Sequence, residues 1–249
     1  MKKLILSTAT ALILSTGMVY ASGENSSHWG YEGHGGPENW GKLSPEYATC
    51  GTGKAQSPID ISGQSGDTDA IKTFYNETPV NVLNNGHTIQ LNFAAGSRLQ
   101  SAGQDYKLLQ LHFHSASEHT INGKSYPLEM HLVHQSADGT LAVVGVMFEK
   151  GAENTELAKI WNNMPEKAGG VITSENTVDV NKLIPDMRTY TRYDGSLTTP
   201  PCSEGVKWHV LTTPLEMSED QVSKFLSTVH KNNRPVQPLN GRKLLEYKQ

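Results

Sequence analysis

Three histidines in two short segments have the spacing of a metal site. His112 and His114 are separated by one residue, and His131 follows in a second apolar segment. Successive side chains of a β-strand point to opposite faces, so an H-x-H pair puts two imidazoles on one face. If the segment of His131 pairs with the first, three neutral imidazoles converge. Such a set suits Zn²⁺ and leaves a fourth tetrahedral position for water.

The acceptors that a metal-binding imidazole needs are also present. Gln110 precedes His112 by two residues, and Glu129 precedes His131 by two residues. Each therefore lies on the same face of its strand as the histidine that follows it. A ligating imidazole donates its other ring N–H to such a group, which fixes the tautomer and raises the basicity of the ligand. The alternative is that Gln110 and Glu129 are polar residues on a solvated face.

Two further histidines leave a different kind of zinc site open. His134 follows His131 by three residues and so faces the other side of the strand, and His119 lies in the connection between the segments. A purely structural zinc site fills its fourth position with a protein ligand, so His119 or His134 would have to reach the metal. Strand alternation argues against His134. Any one of these histidines alone is more simply a hydrogen-bonded core or surface residue.

The elements that position these histidines are mostly strands. Apolar patterns predict strands over residues 88–93, 106–114, 129–135, 141–148 and 207–212, the fourth of them buried on both faces. Helices are predicted over residues 154–163 and 218–229, the second with Ser218 as its N-cap. Turn dipeptides separate the strands, and no repeat or boundary divides the chain. We therefore predict a single, mainly β domain.

An irregular segment, residues 23–57, precedes the first predicted strand. It is rich in Gly, Ser, Asn and aromatic residues and shows no sustained period. Its aromatic side chains are too apolar to be left in water, so we expect this arm to pack on the main body. They are His28, Trp29, Tyr31 and Trp40.

The first 21 residues have the pattern of a secretory signal peptide. Lys2 and Lys3 precede an apolar run that ends in Val19-Tyr20-Ala21, with small residues where cleavage would occur. A membrane anchor is the alternative, but hydroxyl residues interrupt the run, and it is short for a span of roughly 20 apolar residues. The mature domain is then residues 22–249, periplasmic or secreted, with no membrane anchor after cleavage.

Charge and cysteine content narrow the partners and the compartment. Without its signal peptide the chain carries 19 basic and 25 acidic side chains, a formal charge of −6. This charge argues against nucleic acid or an anionic membrane as the main partner. Cys50 and Cys202 are the two cysteines, and an even number in an exported chain indicates a disulfide. Two free thiols or a pair of metal ligands are the alternatives.

A series of motifs, all in the same order, closely resembles the α-class carbonic anhydrases. The motifs are His28-Trp29-Gly30-Tyr31, Gln56-Ser57-Pro58-Ile59-Asp60, Asn84-Asn85-Gly86-His87, Ser117-Glu118-His119-Thr120 and residues 110–114, 129–134, 141–145, 193–202 and 234–239. One of them would be weak, but together they span nearly the whole mature chain. The short link between His114 and Glu118, the signal peptide and the two cysteines are similar to exported bacterial members.

The resemblance implies a fold, a reaction and residue roles. The fold is a large twisted, mostly antiparallel central sheet with a few short peripheral helices. The reaction is the reversible hydration of carbon dioxide to bicarbonate and a proton, a lyase activity, by attack of zinc-bound hydroxide. Thr198 and Glu118 would orient the hydroxide, and His87 would shuttle the proton. The implied zinc ligands are His112, His114 and His131, and the implied substrate contacts are Val133, Val143, Leu197, Thr198, Thr199 and Trp208.

Two other functions compete with this reaction. A catalytically silent family member, used as a binding module, would typically lack a ligand histidine, whereas all three are present together with Thr198 and Glu118. A different zinc hydrolase, such as an esterase, is the second, but the chain has no G-x-S-x-G or H-E-x-x-H motif. We therefore expect a small-molecule substrate. The sequence leaves open whether the protein forms a homodimer.

Overall fold

β-strands make up most of the regular structure, as the apolar pattern predicts. The computed structural model describes residues 28–249, so the predicted signal peptide lies outside the described residues. The strands within them are β1 (Asp60–Ile61), β2 (Gly66–Asp67), β3 (Lys72–Phe74), β4 (Thr78–Asn84), β5 (Ile89–Asn92), β6 (Arg98–Ser101), β7 (Gln104–His114), β8 (Thr120–Ile121), β9 (Leu128–Ser136), β10 (Leu141–Lys150), β11 (Val171–Val178), β12 (Tyr190–Ser196), β13 (Glu204–Leu211), β14 (Leu215–Met217) and β15 (Leu245–Tyr247).

The helices are short and lie at the periphery. They are α1 (Trp40–Leu43), α2 (Thr49–Thr52), α3 (Thr155–Trp161) and α4 (Glu219–Val229), with 3-10 turns at Gly33–Gly35, Pro45–Tyr47 and Val180–Leu183. α4 begins after the predicted N-cap, because the Ser218 hydroxyl accepts from the Gln221 N–H and the Gln221 side chain accepts from the Ser218 N–H. In the described part of the chain no helix is long and apolar enough to cross a membrane.

One large sheet contains all of these strands except β1 and β8, which pair separately. Its order is β11-β4-β5-β7-β9-β10-β13-β12-β15-β2, with β14 beside β10, and β6 beside both β7 and β3. The β10–β13, β10–β14 and β15–β2 pairs are parallel, and the other pairs in the sheet are antiparallel. The predicted fold is therefore confirmed. The five strands predicted from the sequence are all present, with ends that differ by three residues or fewer.

Side-chain alternation gives the sheet two apolar faces. Leu111, Phe113 and Leu132 belong to the larger cluster, which α3 and α4 cover. Val133 and Trp208 belong to the smaller cluster, on the face that carries the histidine trio. β10 contributes to both clusters, since its residues are buried from 142 to 148. The prediction of a strand buried on both faces is thus confirmed.

The aromatic arm packs on the body of the protein, as predicted. Trp40 is fully buried, and its indole N–H donates to the carbonyls of Gly30 and Gly35 at 2.8 and 2.9 Å. A disulfide joins Cys50 to Cys202 in the same cluster, which confirms the predicted pairing. It ties α2 to the loop that follows β12, and this loop carries Leu197, Thr198 and Thr199.

His134 lies against the larger core, on the face opposite to His131, as its spacing predicts. Its Nδ1 donates to the Ala142 carbonyl at 3.2 Å, and its Nε2 accepts from the Tyr75 hydroxyl at 2.8 Å, so the neutral ring is fully satisfied. Burial lowers the pKa of His134 from 6.5 to about 4. The unfolded chain takes up this proton near pH 6.5. The stability that the neutral ring contributes is therefore complete above pH 6.5 and is lost as the pH falls toward 4.

We expect His134→Gln to weaken this acid dependence. Between pH 7 and pH 4 the wild-type protein should lose about 3 kcal/mol more unfolding free energy than the variant, because the folded and unfolded pKa values are about 4 and 6.5. Urea unfolding of the metal-free proteins at several pH values measures the difference. Parallel curves for the two proteins would contradict the assignment of a neutral, buried imidazole.

Candidate metal centre

β7 and β9 bring the three candidate histidines together. His112 and His114 lie on one face of β7, and His131 lies opposite His112 in the antiparallel register of the two strands. The ring centroids are 4.6 to 5.2 Å apart, and one ligand atom from each ring lies within 4.8 Å of the others. Alternation along β7 sets the first pair, whereas the register of β7 against β9 adds the third ring.

Each imidazole has one ring nitrogen hydrogen-bonded and the other available. His112 Nδ1 donates to Gln110 Oε1 at 2.8 Å. His131 Nε2 donates to Glu129 Oε1, and His114 Nδ1 donates to a backbone carbonyl, both at 2.8 Å. His114 Nε2 is buried and has no hydrogen-bond partner within the described residues. This arrangement fits a metal ion bound at the second nitrogen of each ring.

Burial favours the neutral form of all three rings. It lowers the pKa of His112 well below 6.5, that of His131 below 6.5 and that of His114 to about 4. A neutral imidazole has the free lone pair that a metal ion requires, which the protonated ring lacks. A set of three nitrogen donors with an open fourth position is one that suits Zn²⁺.

Glu129 contacts two imidazoles from a fully buried position. Its Oε1 accepts from His131 and from His119 Nδ1, the latter at 2.7 Å. Its Oε2 accepts from the backbone N–H groups of Glu118 and His119, both at 2.8 Å. Burial alone would raise the pKa of Glu129, but the two imidazoles hold it well below its usual value. Glu129 is therefore a carboxylate, the form that accepts all four hydrogen bonds.

His119 has no ring nitrogen left for a metal ion. Its Nδ1 is bonded to Glu129, and its Nε2 meets the Tyr193 hydroxyl at 2.6 Å, which in turn meets the Ser57 hydroxyl at 2.7 Å. His134 lies on the other face of the sheet. Neither histidine is available as a fourth ligand. The series of hydrogen bonds from His119 through Tyr193 to Ser57 was not predicted, because these residues are far apart in the sequence.

The structure brings Glu118 and Thr198 close together beside the histidines. Glu118 Oε1 accepts from the Arg234 N–H at 2.8 Å. Burial raises the pKa of Glu118 to about 7, although His131, the Arg234 N–H and the Thr198 hydroxyl each lower it. Glu118 Oε2 makes no hydrogen bond of good geometry with any residue from 28 to 249. The Thr198 hydroxyl is therefore near this carboxyl in a looser contact than an ordinary hydrogen bond.

Four residues predicted to contact the substrate form one apolar wall. Val143 of β10 pairs with Val133 of β9 on one side and with Trp208 of β13 on the other. Leu197 packs against this row. The Trp208 ring lies edge-on to His131, with centroids 4.8 Å apart. The wall consequently adjoins His131.

Gly145 is a residue of this site that the sequence analysis missed. It lies opposite His131 in the register of β9 and β10. A Cβ atom at this position would come within 3.0 Å of Glu129 Oε1. A side chain there would press on the carboxylate that holds His131. The signal that could have found it is a glycine inside an otherwise apolar strand, which often marks a close approach.

His87 shares one cavity of about 180 Å³ with His112, His114 and Thr199. The half-buried His87 ring stacks on Trp29, with centroids 3.8 Å apart and planes 9° apart. Burial, and then the neighbouring His28, lowers the pKa of His87 below 6.5. The contact with Trp29 was not predicted. A larger cavity, of about 470 Å³, adjoins the disulfide and is lined by none of the candidate ligands.

Comparison with known proteins identifies the family. The family model for eukaryotic-type carbonic anhydrase matches residues 35–248. The chain belongs to this family. A carbonic anhydrase of Klebsiella pneumoniae is 50% identical over 225 residues, which cover 89% of this chain and 92% of that protein. The fold is similar to the α-carbonic anhydrase of Thermovibrio ammonificans, solved with the inhibitor sulfanilamide, at a TM-score of 0.85 and 49% identity over 88% of this chain and 98% of that one.

The chain is also similar to a solved structure that is described by a ligand and not by an activity. The structure of dioscorin in complex with ascorbate has a TM-score of 0.82 and 33% identity over 89% of this chain and 98% of that one. The more similar bacterial relatives are named carbonic anhydrases. This protein is accordingly an enzyme of the carbonic anhydrase family, and hydration of carbon dioxide is the activity expected of it.

Proposed function

We propose that the protein hydrates carbon dioxide reversibly to bicarbonate and a proton, with one zinc ion held by His112, His114 and His131. The observation that carries this proposal is the convergence of three neutral imidazoles, each with its other ring nitrogen hydrogen-bonded. The buried Nε2 of His114, unpaired within residues 28–249, supports a metal ion over a polar cluster held by hydrogen bonds alone.

The chemistry needs a nucleophile stronger than neutral water, because carbon dioxide is a weak electrophile. Zinc centres of this kind, of which carbonic anhydrase is the standard example, acidify a bound water near neutral pH. Gln110 and Glu129 keep the protons of two rings on the nitrogens that face away from the metal. In the proposed reaction the Thr198 hydroxyl would close its loose contact with Glu118 into a donated hydrogen bond, so that its oxygen would be free to accept from the nucleophile and to orient it toward carbon.

The apolar wall binds the substrate and excludes water. Carbon dioxide is uncharged, so it loses little hydration beside Val133, Val143, Leu197 and Trp208. Bicarbonate is an anion and is poorly accommodated by the same wall, which favours its release. Thr199, on the cavity wall with His112 and His114, is the polar residue beside the substrate in this proposal.

Each hydration event leaves a proton that must reach the solvent. His87 lines the same cavity as the candidate ligands, and its imidazole exchanges a proton readily near neutral pH. The lowered pKa keeps the accepting, neutral form populated below pH 6.5. Trp29, stacked on the ring, limits the orientations that His87 can adopt.

We expect His87→Ala to slow hydration in weak buffer by roughly 100-fold, the lower end of what a positioned proton-transfer group contributes. Addition of imidazole buffer should restore most of the rate, because the defect lies in proton removal alone. Stopped-flow hydration at increasing buffer concentration measures this recovery. His34→Ala, at an exposed histidine of the arm, is the matched control. An equal loss that buffer does not restore would contradict the proton-carrier role.

The proposed reaction is tested directly on the mature wild-type protein. Stopped-flow hydration, zinc quantification and inhibition by sulfanilamide should together give fast turnover at one zinc per chain, blocked by the inhibitor. Full zinc occupancy without hydration would refute the catalytic proposal and favour the silent binding module. An absence of zinc after reconstitution would refute the ligand set.

We also propose that residues 1–21 are a signal peptide and that residues 22–249 form the exported domain. The disulfide between Cys50 and Cys202 supports export, since such bonds persist in oxidising compartments. N-terminal sequencing of the protein from the exported fraction should begin at Ser22. An intact Met1 in that fraction would contradict cleavage.

A further inference from the structure

The side chain of Asn232 joins parts of the site that are far apart in the sequence. Asn232 lies in the irregular segment after α4 and is 1% exposed. Its backbone carbonyl is the acceptor for His114 Nδ1, at 2.8 Å. Its side-chain Nδ2 donates to the carbonyls of His87 and Phe113, each at 2.9 Å. Its Oδ1 accepts from the Ser115 N–H at 2.8 Å.

These partners fix the orientation of the amide without ambiguity. The two carbonyls of His87 and Phe113 require donors, and the Ser115 N–H requires an acceptor, so Nδ2 and Oδ1 cannot be exchanged. The Asn232 N–H also donates to the Ser115 carbonyl at 3.1 Å. Every polar group of this buried residue is therefore hydrogen-bonded. Its partners lie on β7, at Ser115 directly after β7, or at His87.

An asparagine is the only side chain of this size that meets all three demands. Aspartate has the acceptor but lacks the two donors, and it would turn an oxygen toward two carbonyls. Serine has one donor and is too short to span both carbonyls. The segment that carries Asn232 has no regular secondary structure from residue 230 to 239, so no strand or helix holds the Asn232 carbonyl in place. The side chain does this instead.

We propose that the Asn232 side chain is a positioning residue that couples the proton carrier to the metal ligand. It anchors the carbonyl that orients His114, and the same amide holds the His87 backbone against β7. Loss of the side chain should then disturb metal retention and proton transfer together. This inference rests on the proposed zinc-dependent hydration, but it concerns a residue that touches neither the metal nor the substrate.

The test is Asn232→Asp, which preserves the shape and the acceptor but removes both donors. Zinc dissociation into an excess of chelator should be about 10-fold faster, the lower end of what loss of a ligand-orienting group costs. Proton transfer, measured by exchange of ¹⁸O between carbon dioxide and water, should slow by about 10-fold. Imidazole buffer should restore the rate of proton transfer but should not slow the dissociation of zinc.

Two other variants serve as comparisons, because each should change either zinc dissociation or proton transfer but not both. Gln110→Ala should speed zinc loss with little change in proton transfer, because Gln110 contacts His112 alone in the trio. His87→Ala should slow proton transfer without faster zinc loss. If Asn232→Asp changes only one quantity, or neither, the coupling is refuted. A wild-type protein that binds no zinc or hydrates nothing would instead refute the proposed function, so the two failures are distinguishable.

A wild-type measurement covers the case in which the aspartate variant does not fold. The side-chain amide protons of Asn232 should be slow to exchange in ¹⁵N-resolved spectra, and their shifts should move both on zinc loading and on His87→Ala. Movement with both changes supports the coupling. Movement with only one of them, or with neither, overturns it.

Discussion

Replacement of His114 by alanine should abolish stable zinc binding and lower carbon dioxide hydration by more than about 100-fold, since loss of a group that merely orients a ligand already costs 10- to 100-fold. The proposed ligand His114 is 1% exposed, and its Nε2 has no hydrogen-bond partner within residues 28–249. Removal of the imidazole would also leave the Asn232 carbonyl without the donor that His114 Nδ1 supplies.

Zinc content after dialysis against chelator and stopped-flow hydration measure the two parts of this prediction. His134→Gln is the matched control, because His134 is buried on the same strand as His131 but faces the other side of the sheet. It should retain one zinc per chain at neutral pH. Equal zinc loss in both variants would indicate general destabilisation, and full zinc retention by His114→Ala would contradict the ligand set.

The disulfide variant Cys50→Ser/Cys202→Ser should unfold more easily by up to about 5 kcal/mol, because the bond closes a loop with a sequence separation of 152 residues. This figure is an upper value, since the chain-entropy model assigns the whole effect to the unfolded state. Activity should fall as well. Cys202 donates its N–H to the Thr199 carbonyl at 2.9 Å, so the bond restrains the loop that carries Thr198 and Thr199.

Guanidinium unfolding of the oxidised wild type, the reduced wild type and the double variant measures the stability part. Reductant should shift the midpoint of the wild type toward that of the variant and should leave the variant unchanged. A sensitivity to reductant that survives in the double variant would assign the effect to some other group. Hydration measured well below either unfolding midpoint separates loosening of the loop from global unfolding.

Parts of the fold were not visible as sequence patterns, for reasons that differ between strands. β11 is an edge strand whose residues are mostly exposed, so it has neither an alternating nor a continuous apolar pattern. β4 begins with Thr78 and Pro79, and proline lowers the expectation of a strand. β7 was predicted apart from its first two residues, although its pairing with β9 shifts between Leu108 and Gln110.

The site was predicted unevenly, according to how local its contacts are. The hydrogen bonds that His112 donates to Gln110 and that His131 donates to Glu129 span two residues, so strand alternation was enough to predict them. The acceptor for His114 lies 118 residues away, in a segment without regular structure. No periodicity connects such positions, and Asn232 and the stack of Trp29 on His87 were missed for this reason.

The sequence by itself determined the side-chain chemistry and its local direction. Alternation along β7 puts two imidazoles on one face, and Ser218 is placed to act as the N-cap of α4. The two cysteines of the disulfide are also read directly from the sequence. Only the tertiary structure decided which strands are neighbours. The register that sets His131 opposite His112, and the parallel pairing that sets Trp208 beside Val143, arise from contacts between distant segments. Burial then favours the neutral imidazole, because desolvation acts only once the chain has closed around the site.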